Sequence, residues 1–320
     1  MITLKKNNFS FHEEVNKCLT SIIKNKLFAN GYIFYGPEGV GKKQTALEFV
    51  KEIFKLTSSN GNIDERISNN NHPDFLKIDP NSALEDMNSS NDYVEKKTKG
   101  GSEIIKISQI RNIKTFLGQK SINSEKKIIL ICDAHLLNEA ASNCLLKTLE
   151  EPSNGIFILL TSKLNLLLET IISRCQIVRF RSCSNNQLRS ILKDYLDPSI
   201  YNFNTKFKFE DLINAANGSP EKLLKNFELW NELPDKIKSK LDYPIKNNLE
   251  ILEVSKIIYE QLDIYQQIYL VNFIQIIWWR KTKNINLAKK LENLKFYLKK
   301  NVQPRLAWEI TFLKISMEDL

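Results

Sequence analysis

Tyr32-Ile33-Phe34-Tyr35-Gly36-Pro37-Glu38-Gly39-Val40-Gly41-Lys42-Lys43 is the stretch on which the architecture turns. Its first four residues form a short apolar run, the pattern of a buried strand. From Lys42 onward, Ala46, Leu47, Phe49, Val50, Ile53 and Phe54 recur at helical spacing. Between the two, Gly36, Gly39, Gly41 and Lys42 give the spacing G-x-x-x-x-G-K. Glycines there let backbone N–H groups turn inward around phosphate oxygens, with the lysine reaching the outer phosphates. A phosphate loop between strand and helix predicts an α/β domain, a parallel sheet flanked by helices.

The next position breaks the pattern. A working loop carries Ser or Thr there, whose hydroxyl binds Mg²⁺; this chain carries Lys43. An ammonium in that place repels the ion. Thr45 is no substitute, because two residues on along a helix points about 200° away. The acidic element is incomplete as well. In P-loop ATPases a carboxylate beyond a buried strand holds the metal, and a further group readies the attacking water. Here Ile128-Ile129-Leu130-Ile131 runs into Cys132-Asp133-Ala134-His135. With Cys132 at the metal position, Asp133 takes the water-activating one, a methylene short of glutamate. With Asp133 as the metal ligand, Ala134 stands where the base belongs. Either register lacks one carboxylate. Asp133 and His135 read as polar groups left at a strand end rather than as catalysts.

Farther out, Ser10 and Glu13 have capping-box spacing ahead of a helix reaching about Lys26. Short strands are expected at residues 75–78, 128–132, 156–160 and 177–180, with helices at 107–117 and 138–151, the latter closed by Pro152. Residues 58–101 are polar and broken apart from the 75–78 strand, and 81–101 read as an insertion. Beyond about Arg181 every apolar pattern is helical. The spacing divides the chain into 1–181, an α/β domain; 182–234, a small helical lid; and 235–320, a helical collar, with a hinge near Pro234 and Pro244. The collar's apolar residues, Ile257, Leu262, Leu270, Phe273, Ile277, Trp308 and Phe312, exceed what one small bundle need bury and are expected partly to face partner subunits. Trp278-Trp279 reads as core or interface.

The 320 residues are 42% hydrophobic and 26% charged, enough for a sizeable core. The net charge of +9 comes from basic residues scattered in blocks no longer than two, a solvated surface rather than a nucleic-acid stripe. The five cysteines form no CxxC pair, as in reduced thiols of a cytoplasmic protein. The N-terminus lacks the apolar run of a signal peptide, and the most apolar stretches are too short to span a bilayer. No membrane role is expected.

A resemblance joins these readings. Asp133-Ala134-His135, Asn143-Cys144-Leu145-Leu146-Lys147-Thr148-Leu149-Glu150-Glu151-Pro152 and Ile172-Ser173-Arg174-Cys175 are together similar to bacterial DNA polymerase III clamp-loader subunits of the AAA+ type. The degenerate loop and His72-Pro73-Asp74 resemble the delta-prime branch. The resemblance is close from Ile33 to Phe180 and weaker through Gly218-Ser219-Pro220 and the helical C-terminus. It implies a ring with gamma/tau and delta subunits that loads a sliding clamp onto primed DNA. It implies an arginine finger acting in trans at Arg174 and a sensor position at Thr161. It also implies a degenerate nucleotide site at Gly36, Gly39, Gly41, Lys42 and Lys43, where occupancy by ATP or ADP is doubtful. Glu221 and Lys222 stand where a nucleotide-sensing arginine is expected after Ser219-Pro220. Related subunits carry a four-cysteine zinc module; with no cysteine between Cys18 and Cys132, none is expected here. Membership of a polymerase holoenzyme would bring no polymerase chemistry, since no pair of metal-binding carboxylates on facing strands is evident. A gamma/tau-like active ATPase is the alternative, opposed by Lys43 and Cys132/Asp133 together. A nucleotide kinase is opposed by the same Lys43 and by the lack of an acceptor pocket.

Overall fold

The computed structural model describes residues 12–57, 63–80, 104–151, 155–195, 209–233, 238, 240–300 and 302–318. Ser10, the expected insertion at 81–101, Pro152 and Pro234 lie outside them. The chain divides into two compact units, Met1–Ser182 and Cys183–Leu320.

In the first unit the order is α1 (Glu13–Asn25), β1 (Gly31–Tyr35), α2 (Lys42–Thr57), α3 (Ile63–Ser68), β2 (Phe75–Ile78), α4 (Ile107–Gly118), β3 (Lys127–Ile131), α5 (Glu139–Glu150), β4 (Gly155–Thr161), α6 (Glu169–Ile172) and β5 (Gln176–Arg179). Among the described residues these strands form one sheet, ordered β2-β3-β4-β1-β5, with every pairing parallel. The pleat sends alternate residues to opposite faces. Tyr32, Phe34, Ile128, Leu130, Ile156 and Ile158 pack with Leu19, Phe49, Val50 and Ile53 of α1 and α2. Ile33, Ile129, Ile131, Phe157 and Leu159 pack with Ile110, Ile113, Leu145 and Leu149 of α4 and α5. Burial on both faces is why the strands read as unbroken apolar runs rather than as alternating ones. It also brings the C-terminal ends of β1, β2, β3 and β4 to one edge, where ligands of open α/β sheets bind.

Buried polar groups fasten this unit. Asp74 is fully buried and accepts from the backbone N–H groups of Ile122, Asn123 and Ser124 at 2.9, 2.7 and 3.0 Å, and from the Ser124 hydroxyl. Those donors outweigh the burial that would raise its pKa, holding the carboxyl below its usual value. His72 stacks on Phe54, and its Nδ1 accepts from the Asp74 N–H. The His72-Pro73-Asp74 motif is thus a clasp for the loop before β3. Lys127 caps α4 by donating to Phe116 and Gln119 carbonyls at 2.5 and 2.6 Å.

The second unit is helical throughout its described length: α7 (Asn185–Tyr195), α8 (Phe209–Ala216), α9 (Pro220–Glu232), α10 (Asn248–Gln261), α11 (Ile264–Thr282), α12 (Ile285–Lys299) and α13 (Pro304–Glu318). Asn247, Asp263 and Asn284 cap three of these N-termini with side-chain acceptors. The expected boundary at 234 falls inside this unit, where Trp230 of α9 packs on Phe273 of α11 and Asp211 of α8 pairs with Arg280. Ile257 is partly exposed, whereas Leu262, Leu270, Phe273, Ile277, Trp308 and Phe312 are buried within the chain. The bundle absorbs them by stacking α11 between neighbours, with buried indoles satisfied internally: Trp278 Nε1 donates to Leu241 O and Trp308 Nε1 to Gln267 Oε1. Trp279 is partly exposed. Among the described residues no helix is long and apolar enough to cross a membrane.

Candidate functional site

The phosphate loop lies at the edge where β1 ends. Gly36 has no room for a side chain: a Cβ there would sit 2.4 Å from the Phe180 carbonyl oxygen. Gly39 and Gly41 have φ of 72° and 98°, the left-handed region that glycine enters without strain. The turn is tied to its surroundings by Gly36 N–H donating to Thr161 O and by His12 Nε2 donating to Val40 O at 2.8 Å. The loop therefore keeps the backbone of a phosphate cradle. Lys42 is turned back into it, donating to the Gly36 and Pro37 carbonyls at 2.6 and 2.5 Å.

The metal corner is occupied by protein charge. Lys43 Nζ lies 3.4 Å from Asp79 Oδ1, and Lys77 Nζ is 2.6 Å from Asp79 Oδ2. Cys132, just past β3, hydrogen-bonds the same carboxylate. Burial works against the Lys43 ammonium, but Cys132 and Asp79 outweigh it and hold its pKa above the ordinary lysine value. Burial likewise opposes the Asp79 carboxylate, and Lys77, Cys132 and Lys43 pull its pKa below the usual range. The Cys132 thiol is pushed up to about 12, by burial first and then by the facing Asp79, so it stays protonated and is a poor metal ligand. Geometry decides the register left open by the sequence: Cys132 faces Lys43 and Asp79, whereas Asp133 is exposed, with a left-handed φ of 50°. Thr45, two residues on, is buried.

Thr161, at the end of β4, is fully buried. Its Oγ1 accepts from the Lys163 N–H at 3.0 Å and lies 3.4 Å from His135 Nδ1. Burial, the leading influence, lowers the His135 pKa and favours the neutral ring. Thr161 and His135 thus form a small polar pair beside the loop. Ser219, in the second unit, caps α9 by accepting from Lys222 N–H, and Glu221 pairs with Lys225.

Arg174 lies elsewhere on the first unit. It follows α6, and its guanidinium is exposed, pairing through Nη2 with Glu150 Oε1 at 2.7 Å and donating from Nη1 to Thr170 O at 3.1 Å. The other glutamate of the pair, Glu151, binds Lys114 at 3.2 Å. Each glutamate of the Glu150-Glu151 motif therefore holds a different cation.

Asp79 was invisible to motif reasoning. The signal was present: it is the first residue after a buried strand of a parallel sheet, at the same edge as the loop. Glu150 was quoted as part of a motif without a partner, because ion pairing between residues 150 and 174 depends on how α5 and α6 meet.

Comparison with known proteins agrees with this geometry. A family model described as "DNA polymerase III, delta subunit" matches residues 11–184, and one described as "Cyanobacterial DNA polymerase III delta prime, C-terminal domain" matches 186–315. The DNA polymerase III subunit delta' of Bacillus subtilis (strain 168) is 30% identical over 173 residues, 52% of this chain and 46% of that protein. The subunit tau of the same organism is 29% identical over 195 residues, 58% of this chain and 30% of that protein. The alignments thus span less than half the length of either relative. A solved structure of a gamma subunit-related protein of Thermotoga maritima shares the fold, with a TM-score of 0.52 at 18% identity, covering 93% of this chain and 98% of that one. By the match across more than half of its residues, the chain belongs to the DNA polymerase III delta subunit family.

Proposed function

We propose that this chain serves as the delta-prime type subunit of a clamp loader, a AAA+ member that does not hydrolyse ATP itself. The observation that carries the proposal is the Lys43–Asp79 ion pair, with Cys132 behind it, at the place where a working site holds Mg²⁺. Phosphoryl transfer on such folds relies on a metal bridging the β- and γ-phosphates. A cation fixed to a side chain can attract a phosphate but cannot bridge two oxygens while positioning water. The second supporting observation is Arg174, exposed on the first unit with a planar fork suited to a phosphate. In this reading Arg174 is an arginine finger for the ATP site of a neighbouring gamma/tau-type subunit. Residues 182–234 act as a lid and 235–320 as a collar for assembly with gamma/tau and delta subunits. The sliding clamp and primed DNA are partners through the complex.

Reconstitution with gamma/tau-type and delta-type subunits tests the role. Arg174→Ala should leave assembly intact and lower clamp-stimulated ATP hydrolysis by the neighbouring subunit. If hydrolysis and clamp loading both stay at the wild-type level, the trans-acting role is wrong.

A further inference from the structure

We propose that Glu150 holds the Arg174 guanidinium in reserve, as a competing anion that the neighbour's nucleotide must displace. This rests on Arg174 acting as a finger in trans. The side chain is tethered within its own domain by Glu150 Oε1 on Nη2 at 2.7 Å and, on Nη1, by the Thr170 carbonyl at 3.1 Å and more loosely by Ser173 Oγ at 3.5 Å. The backbone beneath it is fixed. Arg174 N–H donates to Ile171 O at 3.2 Å, and the next residue packs Cys175 Sγ where a Cβ on Gly31 would lie only 2.6 Å away. Only the side chain is free to exchange partners.

The surroundings permit that exchange. The Arg174 and Glu150 side chains are 41% and 46% exposed, so the pair is solvated and reversible. A carboxylate offers one negative charge; a nucleotide γ-phosphate offers more charge and more acceptor oxygens. An incoming phosphate therefore both attracts Arg174 and repels Glu150. Until a neighbour's nucleotide is correctly placed, the carboxylate neutralises the finger. Glu151 faces a different cation, Lys114, at 3.2 Å. Glu150 is thus a positioning residue that acts through Arg174 and touches no reacting atom.

The test is ATP hydrolysis by the reconstituted complex, first without clamp and DNA and then with them. Glu150→Gln keeps the shape and removes the charge. It should raise clamp-independent hydrolysis by up to about fivefold, the most that an exposed ion pair contributes. Glu150→Ala should act in the same direction. Raising the salt should bring wild type toward the variant, since screening weakens the exposed pair. The double variant Glu150→Gln/Arg174→Ala should match Arg174→Ala alone, a dependence that a merely structural glutamate would not show. If Arg174→Ala lowers hydrolysis but Glu150→Gln leaves the clamp-independent rate unchanged or reduced, the reserve role is overturned and the finger stands. If Arg174→Ala itself changes nothing, the finger reading falls and this proposal falls with it.

Discussion

Lys43 and Arg174 each face a carboxylate, yet the two pairs do opposite things. Asp79 is held on three sides, by Lys43, by Lys77 and by Cys132. A metal ion entering that corner would have to displace two ammonium groups and accept a protonated thiol as neighbour. Glu150 is the carboxylate that pairs with Arg174, on an exposed surface. Both pairs are solvated, with Lys43 52% and Arg174 41% exposed, so the difference lies in the neighbours: Asp79 gathers Lys43, Lys77 and Cys132, whereas Glu150 faces Arg174. In the proposed reading the chain combines a nucleotide site that does not turn over with a cation that serves a neighbour's.

The largest expected effect separates the two cations by chemistry. With the other motor sites silenced, Arg174→Lys should lose nearly as much activity as Arg174→Ala at the neighbouring site, on the order of 10³-fold or more, since fingers supply about 10³–10⁵ and an ammonium lacks the fork. Turnover by single-site complexes checks this. Substantial rescue by lysine would mean that only charge matters, making Arg174 and Lys43 alike.

A smaller change should reopen the closed corner. Lys43→Thr with Cys132→Asp supplies the hydroxyl and the carboxylate that Mg²⁺ needs, and leaves the loop backbone intact. Calorimetry should show ATP binding at least about tenfold tighter with Mg²⁺ than without, about 1.4 kcal/mol. Equal affinity with and without Mg²⁺ would mean that Lys43 and Cys132 are not what keeps the metal out.

The smallest effects are on stability. Asp79→Asn should cost less than about 1 kcal/mol, because its partners are partly solvated. Asp74→Asn should cost more, about 1–3 kcal/mol, because it turns an amide NH₂ toward buried donors. Both carboxyls have folded pKa values below the ordinary one. Their contributions are therefore fully present above the unfolded value, near pH 4, and are lost as pH falls through the folded values. Urea melts of wild type and variants should converge as the pH drops below about 4. If Asp79→Asn proves as costly as Asp74→Asn, the metal corner is a structural clasp rather than a closed site.

Much of the first unit was legible because local pattern and fold agree there. Runs such as Ile128-Ile129-Leu130-Ile131 must be strands buried on both faces, and Gly36-x-x-x-x-Gly41-Lys42 can sit only at a strand end. Lys43 departs from the hydroxyl expected after the loop lysine, and that is readable from the sequence alone. The choice between Cys132 and Asp133 was not legible, since a one-residue shift at a strand end reverses which side chain enters the cleft. Asp79 and Glu150 were hidden for a related reason: Lys43 is 36 residues from Asp79 in sequence, and Arg174 is 24 from Glu150. The packing of the collar was not legible, because a long apolar helix such as Ile264–Thr282 looks alike in sequence whether covered by its own chain or by a partner's.

Steady-state ATP turnover by the isolated chain, set against Lys42→Ala, tests the central claim most directly. The account predicts equal rates for the two proteins, at background, with Mg²⁺ present. Turnover of about 1 per second that Lys42→Ala abolishes would contradict it, because that is the working range of phosphoryl-transfer enzymes and would require a metal in the corner that Lys43 and Asp79 fill.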